Sequence, residues 1–271
     1  MHIHSGCFIL AFIFRKGEMI EICAIASGSN GNCYYVGNEK EAVLIDLGIS
    51  TKQAVQRMAE KGLDLQKIKA VFVSHEHADH VRGVRVFSKR YSIPVYFTAQ
   101  TYLKLSRRVQ PNSPRFFKPG ESVMIGSITV HSFLKNHDAV EPCSFRIELN
   151  NKHIGVFTDI GEPCENLQQH FTQCQAVFLE TNYDEPMLLN GPYPYYLKQR
   201  VGSKNGHLSN VQALNLVQEQ AGEELGLIFL SHISAENNTP ELAMESFGLI
   251  SDKYDVRLTS RHAPTDVVRI D

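Results

Sequence analysis

Residues 74–80 read Ser74-His75-Glu76-His77-Ala78-Asp79-His80, an H-x-H-x-D-H run with four potential metal ligands in six positions. The run follows Ala70-Val71-Phe72-Val73, an apolar, β-branched segment typical of a buried strand. Imidazole and carboxylate groups suit zinc or a neighbouring first-row divalent metal. Four ligands are more than a mononuclear site takes from one segment, so the run predicts two adjacent metal ions. A histidine-rich surface loop is the competing interpretation.

Placed at the end of a strand, this run resembles the motif of the metallo-β-lactamase superfamily. The superfamily's other motif residues occur in the expected order, each at the end of an apolar segment. The resemblance implies an α/β fold, the αββα four-layer sandwich, in which ligands from strand ends can converge on one sheet edge. The matching residues are Asp46 after 42–45, His137 after 127–133, Asp159 after 154–158 and His232 after 227–231.

The resemblance also implies two metal sites that share one aspartate. Two divalent cations lower the pKa of a bound water, so a hydroxide between the metals is the expected nucleophile. Zinc is the expected metal, with manganese or iron as alternatives, and Asp46 is expected to orient the ligand loop. The implied sites are His75, His77 and His137 for one metal, Asp79, His80 and His232 for the other, and Asp159 between them.

Further segments narrow the resemblance to the YycJ (WalJ) subfamily. They are residues 26–32, 180–184, 206–210 and 237–240. This subfamily is associated with bacterial nuclease activity, including 5′-to-3′ exonuclease action on DNA. The familiar antibiotic-hydrolysing zinc enzymes use cysteine at the second metal site, whereas this chain offers Asp79, so β-lactam hydrolysis is not expected as the main activity.

Two residues outside the ligand set are predicted to take part in catalysis with Asp79. In the similar tRNA 3′-processing branch, a glutamate and a histidine cooperate in proton transfer to the leaving group. Glu180 and His207 match them in order, so His207, oriented by Glu180, is expected to help protonate the departing oxygen or to contact the phosphate. The competing interpretation is that His207 caps the helix that follows it.

A phosphodiester substrate needs groups that contact its backbone. The loop 27–32, rich in Gly and Asn, can offer backbone N–H groups, and cations before His207 can neutralise phosphates. Residues 104–118 form a second basic stretch, for which a solvated, charge-balanced surface is the preferred interpretation. The predicted substrate-binding residues are Ser29, Asn30, Asn32, Lys198, Arg200 and Lys204.

These features predict a dinuclear-metal-dependent phosphodiester hydrolase, a nuclease with DNA as the expected partner. The alternative is a small-molecule hydrolase acting on thioesters, lactones or cyclic nucleotides with the same metals. The basic segment beside His207 counts against that alternative. A non-enzymatic sensor or scaffold is the third hypothesis, and the complete ligand set argues against it.

Composition sets the remaining expectations. A chain of 271 residues that is 43% hydrophobic can bury a large core, and its net charge of -2 gives no general attraction to nucleic acid or acidic membrane. Six cysteines without a CxxC pair predict reduced thiols in a cytoplasmic protein. No apolar stretch is long enough to span a membrane. No oligomeric state is assigned.

Residues 1–18 are expected to be an N-terminal extension of doubtful role, and residues 19–271 a single domain. The apolar run at 8–14 precedes its positive charges, which is the reverse of a signal peptide. Met19 is therefore the expected natural start, with an extra packed strand or helix as the alternative. Six histidines match no motif and are expected to be ordinary surface or structural residues: His2, His4, His131, His153, His170 and His262.

Local signals predict several elements. Ser50 with Gln53 and Ser209 with Gln212 are capping boxes that predict helix starts. One strand is expected at about 122–133, and one helix from the metal loop through Phe87.

Overall fold

The computed structural model describes residues 19–271 as two sheets packed face to face with helices on both outer surfaces. This arrangement confirms the predicted αββα sandwich. The expected N-terminal extension, residues 1–18, lies outside the described residues. The assignment of residues 19–271 to one domain stays a prediction. Between residues 19 and 271, no helix is both long and apolar enough to cross a bilayer.

The first sheet contains seven strands, four of which are parallel neighbours. The strands are β1 (Ile20–Ala26), β2 (Cys33–Gly37), β3 (Ala42–Ile45), β4 (Ile68–Phe72), β5 (Val95–Phe97), β6 (Pro114–Phe116) and β14 (Val268–Ile270). Their order is β14-β1-β2-β3-β4-β5-β6. Because β3 to β6 run parallel, their C-terminal ends share one edge of the sheet, and the metal loop leaves that edge from β4.

The second sheet also has seven strands, four of which are likewise parallel neighbours. They are β7 (Ser122–Ile125), β8 (Ile128–Leu134), β9 (Cys143–Leu149), β10 (Lys152–Phe157), β11 (Ala176–Glu180), β12 (Leu227–Ser231) and β13 (Asp255–Leu258), in the order β13-β12-β11-β10-β9-β8-β7. β10 to β13 run parallel, and β8 shares their direction because β9 is antiparallel to both β8 and β10. The strand expected at 122–133 is a hairpin, since Gly126 adopts φ 60° and turns the chain.

Two of the helices begin where capping boxes predict them. Both capping boxes are present, at Ser50 with Gln53 and at Ser209 with Gln212. The helix expected through Phe87 is divided at Gly83, where an added Cβ would lie 2.2 Å from a backbone oxygen. The helices are α1 (Thr51–Glu60), α2 (Ala78–Val81), α3 (Val84–Tyr91), α4 (Ala99–Lys104), α5 (Glu165–Phe171), α6 (Glu185–Asn190), α7 (Tyr195–Val201), α8 (Asn210–Gln220) and α9 (Pro240–Ser246), with 3-10 turns at Leu65–Lys67 and Gly248–Ile250.

Aromatic side chains between the sheets fix the position of one sheet against the other. Phe72 from β4 packs edge-on against Phe145 from β9, with ring centroids 5.9 Å apart. Tyr34 from β2 contacts Phe178 from β11 at 5.0 Å. Burying each such ring contributes about 1.5–3 kcal/mol. α1 and α3 cover the first sheet, and α5, α8 and α9 cover the second.

Candidate metal centre

The metal loop is held by a single buried carboxylate. Asp46 follows β3 with φ 59°. Its Oδ1 accepts from Ser74 N at 2.8 Å, and its Oδ2 accepts from Ser74 Oγ at 2.9 Å and from His80 Nδ1 at 2.7 Å. Both ends of the loop are thereby fixed to one residue. The structure places Asp46 where a residue that orients the ligand loop would lie.

The first ligand cluster joins His75, His77 and His137, whose ligand atoms lie within 4.8 Å of one another. His77 Nδ1 lies 3.0 Å from His75 Nε2 and 3.4 Å from His137 Nε2. His137 donates its Nδ1–H to the carbonyl oxygen of Gly206 at 3.0 Å, which leaves Nε2 for the cluster. Burial lowers the pKa of His137 to about 3 and that of His75 well below its ordinary value. Both rings are therefore neutral, as metal binding requires.

The second cluster joins Asp79, His80, Asp159 and His232, also within 4.8 Å of one another. Asp159 Oδ2 lies 3.2 Å from His80 Nε2, and Asp159 Oδ1 lies 3.5 Å from His232 Nε2. Asp79 Oδ2 lies 3.4 Å from His80 Nε2. Asp159 Oδ1 is also 3.9 Å from Nε2 of His137 in the first cluster. Asp159 thus lies between the two clusters.

The second cluster favours positive charge. Burial alone would lower the pKa of His80, but the carboxylates of Asp159, Asp46 and Asp79 outweigh it and raise that pKa well above its ordinary value. Burial likewise opposes protonation of His232, yet Asp159, Asp79 and Glu180 raise its pKa to about 10. A concentration of carboxylates that holds protons on buried imidazoles is an environment that suits divalent cations.

Two buried polar atoms in this cluster have no hydrogen-bond partner. They are Asp159 Oδ2 and His232 Nε2. An unsatisfied buried polar group costs about 1–3 kcal/mol, so such groups call for a specific explanation. Both atoms lie on the side chains that close the cluster, and nitrogen and oxygen donors suit zinc, manganese or iron. The residues present therefore fit metal ions.

Glu180, at the end of β11, connects the second cluster to its surroundings. It is fully buried. Its Oε1 accepts from both His207 Nδ1 and His232 Nδ1, each at 2.8 Å. Its Oε2 accepts from Ile160 N at 2.6 Å and Leu208 N at 3.2 Å. Burial favours the protonated acid, but His207 and His232 outweigh it and lower the pKa of Glu180 to about 2.

His207 lies beside the clusters without belonging to the predicted ligand set. Its Nδ1 is 3.9 Å from Asp159 Oδ1, and its ring stacks on that of His232 at 5.3 Å. Its side chain is 21% exposed, whereas that of His232 is 2% exposed. Ser209, not His207, provides the side-chain cap of α8. Because Nδ1 binds Glu180, Nε2 is the nitrogen that remains for chemistry.

The predicted substrate-binding loop at 27–32 divides into two parts. Ser29 and Asn30 are exposed at its tip. Asn32 is fully buried, and its Nδ2 lies 3.3 Å from Asp79 Oδ2 and 3.1 Å from His80 Nε2. Asn32 thus lies where it supports the ligands, and its predicted contact with substrate stays a prediction.

The predicted basic residues before His207 lie on or just after α7. Arg200 Nε donates to Asp138 Oδ2 at 2.5 Å, and Asp138 directly follows a candidate ligand in the chain. Lys198 Nζ donates to a carbonyl oxygen of α6 at 2.7 Å. Lys204 is 83% exposed and lies 3.7 Å from a glutamate. These cations lie near the site, and each has an internal contact.

Comparison with known proteins agrees with this arrangement. A family model described as the beta-lactamase superfamily domain matches residues 41–233. A Bacillus anthracis protein named exodeoxyribonuclease YycJ is 30% identical over 260 residues, which cover 92% of this chain and 98% of that protein. The chain belongs to the YycJ/WalJ branch of the metallo-β-lactamase superfamily. The family predicted from the sequence is thus confirmed.

Two further likenesses extend this result. A Streptococcus pneumoniae serotype 2 protein named exodeoxyribonuclease WalJ is 32% identical over 224 residues, covering 81% of this chain and 83% of that protein. The crystal structure of the metallo-β-lactamase fold protein YhfI from Bacillus subtilis matches with TM-score 0.70 and 16% identity, covering 93% of this chain and all of YhfI. At that identity, the second likeness supports the fold alone.

In this YycJ/WalJ chain, three residues that support the ligands were not assigned a role from the sequence, although two of them, Ser27 and Asn182, lie in the segments that carry the resemblance. Lys135 is 6% exposed, and its Nζ donates to the carbonyl oxygen of Thr158 at 2.7 Å, directly before Asp159. Ser27 Oγ accepts from His232 N at 2.8 Å, and Asn182 Nδ2 donates to the His232 carbonyl at 2.9 Å. A lysine, a serine and an asparagine are common residues, and only the folded chain shows which ones reach the ligands.

Proposed function

We propose that this protein is a dinuclear-metal-dependent phosphodiester hydrolase that degrades DNA from an end as an exonuclease. The observation that carries the proposal is the buried Glu180, which binds a candidate ligand, His232, and the partly exposed His207 through one oxygen atom. The names of the Bacillus anthracis and Streptococcus pneumoniae relatives support DNA as the substrate. The 5′-to-3′ direction is the one that the subfamily resemblance implies.

Seven residues are proposed to hold two divalent metal ions, zinc first, with manganese or iron as alternatives. When bound, the ions would lower the pKa of a water molecule and offset negative charge on the phosphodiester oxygens. Asp79 and Asp159 supply the carboxylate charge that balances the cations. The proposed ligands are His75, His77 and His137 for the first ion, Asp79, His80 and His232 for the second, and Asp159 for both.

His207 is proposed to protonate the leaving oxygen. Glu180 accepts the Nδ1–H and fixes the orientation of the ring, so Nε2–H of the protonated ring is the proton that can be donated. As the P–O bond breaks, the departing oxygen takes this proton and leaves as an alcohol. His207 is then neutral and regains a proton from solvent, because its side chain is 21% exposed.

The exposed loop tip and α7 are proposed to contact the nucleotides at the cleaved end. Ser29 and Asn30 offer backbone and side-chain polar groups beside the ligand loop. Arg200 uses Nε for Asp138, which leaves its two terminal nitrogens for a phosphate. Lys198 and Lys204 keep their charge near the same rim.

The test is cleavage of DNA labelled at either the 5′ or the 3′ end by protein reconstituted with zinc or manganese. Duplex DNA, single-stranded DNA and RNA are compared. Asp79→Ala/His80→Ala removes ligands of the second site, and His262→Ala is the matched control because His262 is exposed and outside the clusters. We expect stepwise digestion by wild type and control, with loss in the double variant.

Two outcomes would contradict the proposal. The first is turnover of bis-p-nitrophenyl phosphate or a thioester without cleavage of any nucleic acid, which would indicate a small-molecule hydrolase. The second is DNA cleavage that persists in the Asp79→Ala/His80→Ala variant, which would place the reaction outside this site.

A further inference from the structure

One segment of the chain carries an unbalanced positive charge. Residues 81–120 contain nine of the chain's 27 Lys and Arg residues and none of its 29 Asp and Glu residues. The whole chain has a net charge of -2, so the positive charge of this segment is opposite in sign to the net charge of the molecule. We call these residues the basic edge: Arg82, Arg85, Lys89, Arg90, Lys104, Arg107, Arg108, Arg115 and Lys118.

All nine cations are exposed. Within residues 19–271, none of them has a carboxylate partner within ion-pair distance. The ion pairs of Lys and Arg in this part of the chain lie elsewhere, at Lys61, Lys67, Arg200, Lys204, Arg257 and Arg269. The part of the chain that the structure describes contains no ion pair that would balance the charge of residues 104–118. Glu121, just beyond the segment, bonds to the backbone N–H of Lys118.

The basic edge begins at the metal loop. Arg82 lies two residues after His80, and its guanidinium donates to the carbonyl oxygen of Asn30 at 3.1 Å. Lys118 lies two residues beyond the end of β6, which is two strands from β4 in the same parallel group. Neighbouring strands are about 4.8 Å apart, so Lys118 leaves the sheet edge about 10 Å from the metal loop.

Parts of the basic edge contact one another. Arg85 and Lys89 stand four residues apart on α3, a spacing that places them on one side of that helix, and Arg82 lies in the short connection between α2 and α3. Arg85 donates to the carbonyl oxygen of Arg107 at 2.5 Å, which joins α3 to the loop after α4. This hydrogen bond connects the part of the basic edge on α3 with the part that follows α4.

We propose that the basic edge binds the phosphate backbone of duplex DNA behind the end that enters the metal centre. This inference rests on the proposed function. Duplex DNA carries one negative charge per about 1.7 Å of helix axis, and exposed cations without acidic partners can neutralise it regardless of sequence. Single-strand surfaces add aromatic rings for base stacking, whereas Phe116 is the only exposed aromatic residue in 81–120. The composition of the edge thus favours the double-stranded backbone.

The test compares two triple variants with the same loss of charge. Lys89→Gln/Lys104→Gln/Arg108→Gln removes exposed cations from α3, α4 and the following loop. The control, Lys52→Gln/Lys69→Gln/Lys253→Gln, removes three exposed cations outside the basic edge. Metal-loaded full-length proteins bind a fluorescent duplex with phosphorothioate linkages, and anisotropy is measured across a series of salt concentrations. Turnover of bis-p-nitrophenyl phosphate is measured in parallel.

The basic-edge variant is expected to bind duplex about 10- to 100-fold more weakly, with the slope of log affinity against log salt reduced by about 2–3. The control should match wild type, and all three proteins should turn over bis-p-nitrophenyl phosphate equally. Equal salt slopes for the two triple variants would overturn the inference. So would a larger loss of single-stranded than duplex binding, or competition by polyglutamate as effective as that of unlabelled duplex. Failure of the proposed function is distinguishable, because wild type would then leave unmodified DNA intact, with or without turnover of bis-p-nitrophenyl phosphate, whatever the binding result.

Discussion

Each half of the molecule holds its ligands with one buried carboxylate, but the two carboxylates have different partners. Asp46 in the first half contacts Ser74 and His80, which belong to a single loop. Glu180 in the second half contacts His207 and His232, which come from separate connections. The first carboxylate therefore organises one loop, whereas the second brings separate segments of the chain together.

This difference follows from how each sheet supplies its ligands. The first sheet contributes four candidate ligands from one loop after β4, so a single anchor is sufficient. The second sheet contributes His137, Asp159 and His232 from the ends of β8, β10 and β12. Glu180, at the end of β11, bonds to His232 and to the backbone N–H of Ile160, which directly follows Asp159, whereas His137 bonds to the Gly206 carbonyl. As a result, only the second half couples a candidate ligand to a proton donor.

The largest effect is expected at Asp159, which lies between the two ligand clusters. Asp159→Ala removes the side chain that approaches both His80 and His137. We expect activity on DNA to fall roughly 10³-fold or more, because charge stabilisation by the metals is worth several kcal/mol. Metal content, measured by elemental analysis after dialysis, should fall at both sites. Loss of one equivalent only would show that Asp159 belongs to one half.

The next effect distinguishes the two functions of Glu180. His207→Asn should lower kcat on DNA about 10²- to 10³-fold without changing metal content, since it removes proton donation alone. Glu180→Gln should lower both kcat and metal content, because His232 loses its carboxylate partner as well. The measurements are kcat, KM and bound metal for each variant.

A substrate whose leaving group needs no proton provides the control for His207. p-Nitrophenolate departs without a proton, so His207→Asn should affect bis-p-nitrophenyl phosphate much less than DNA. An equal loss on both substrates would contradict proton donation. Identical metal content in Glu180→Gln and His207→Asn would contradict the link through His232.

A smaller effect is expected for Asp46. Asp46→Asn keeps the size of the side chain but removes the charge that accepts from His80 Nδ1. We expect metal affinity to fall about 10- to 100-fold, with kcat close to wild type once metal is saturating. Titration with a competing chelator, combined with activity at high metal concentration, measures both quantities. A loss of kcat that excess metal does not restore would make Asp46 equivalent to Glu180 and remove the contrast between the halves.

Sequence was most informative where structure is set locally. The ligand run, the strands that precede each candidate ligand, and both capping boxes depend on residues close together in the chain. The strands β5 and β6 contain three residues each and form because neighbouring strands pair with them. Segments this short do not show the alternation that predicts a strand from sequence. α6 and α7 were likewise not expected, since their small core forms only by tertiary contact around Tyr183 and Leu188.

The environment of a side chain was the hardest property to predict. Asn32 reads as a loop residue but is buried against the ligands, and Lys135 reads as a surface lysine but is buried beside them. His153 and His170 were expected to be ordinary surface or structural residues. Both contact Arg146, which is 6% exposed, on the outer face of the second sheet, and the sequence did not indicate that partner.

That outer face offers the smallest test of the comparison, because His153 and His170 contact an arginine there instead of a carboxylate. Burial and the charge of Arg146 lower the pKa of His170 to about 4, from an ordinary value of 6.5. The folded state thus disfavours protonated His170, and its contribution to stability, complete above pH 6.5, should be lost as pH falls towards 4. Relative to His170→Gln, wild type should lose about 1–2 kcal/mol of unfolding free energy over that range, a value reduced for partial exposure. Denaturant unfolding at several pH values measures the difference, and the ligand histidines common to both proteins cancel. Parallel curves of unfolding free energy against pH for wild type and His170→Gln would contradict this prediction. They would show that Arg146 does not lower the pKa of His170, whereas the carboxylates raise the pKa of His80 and His232.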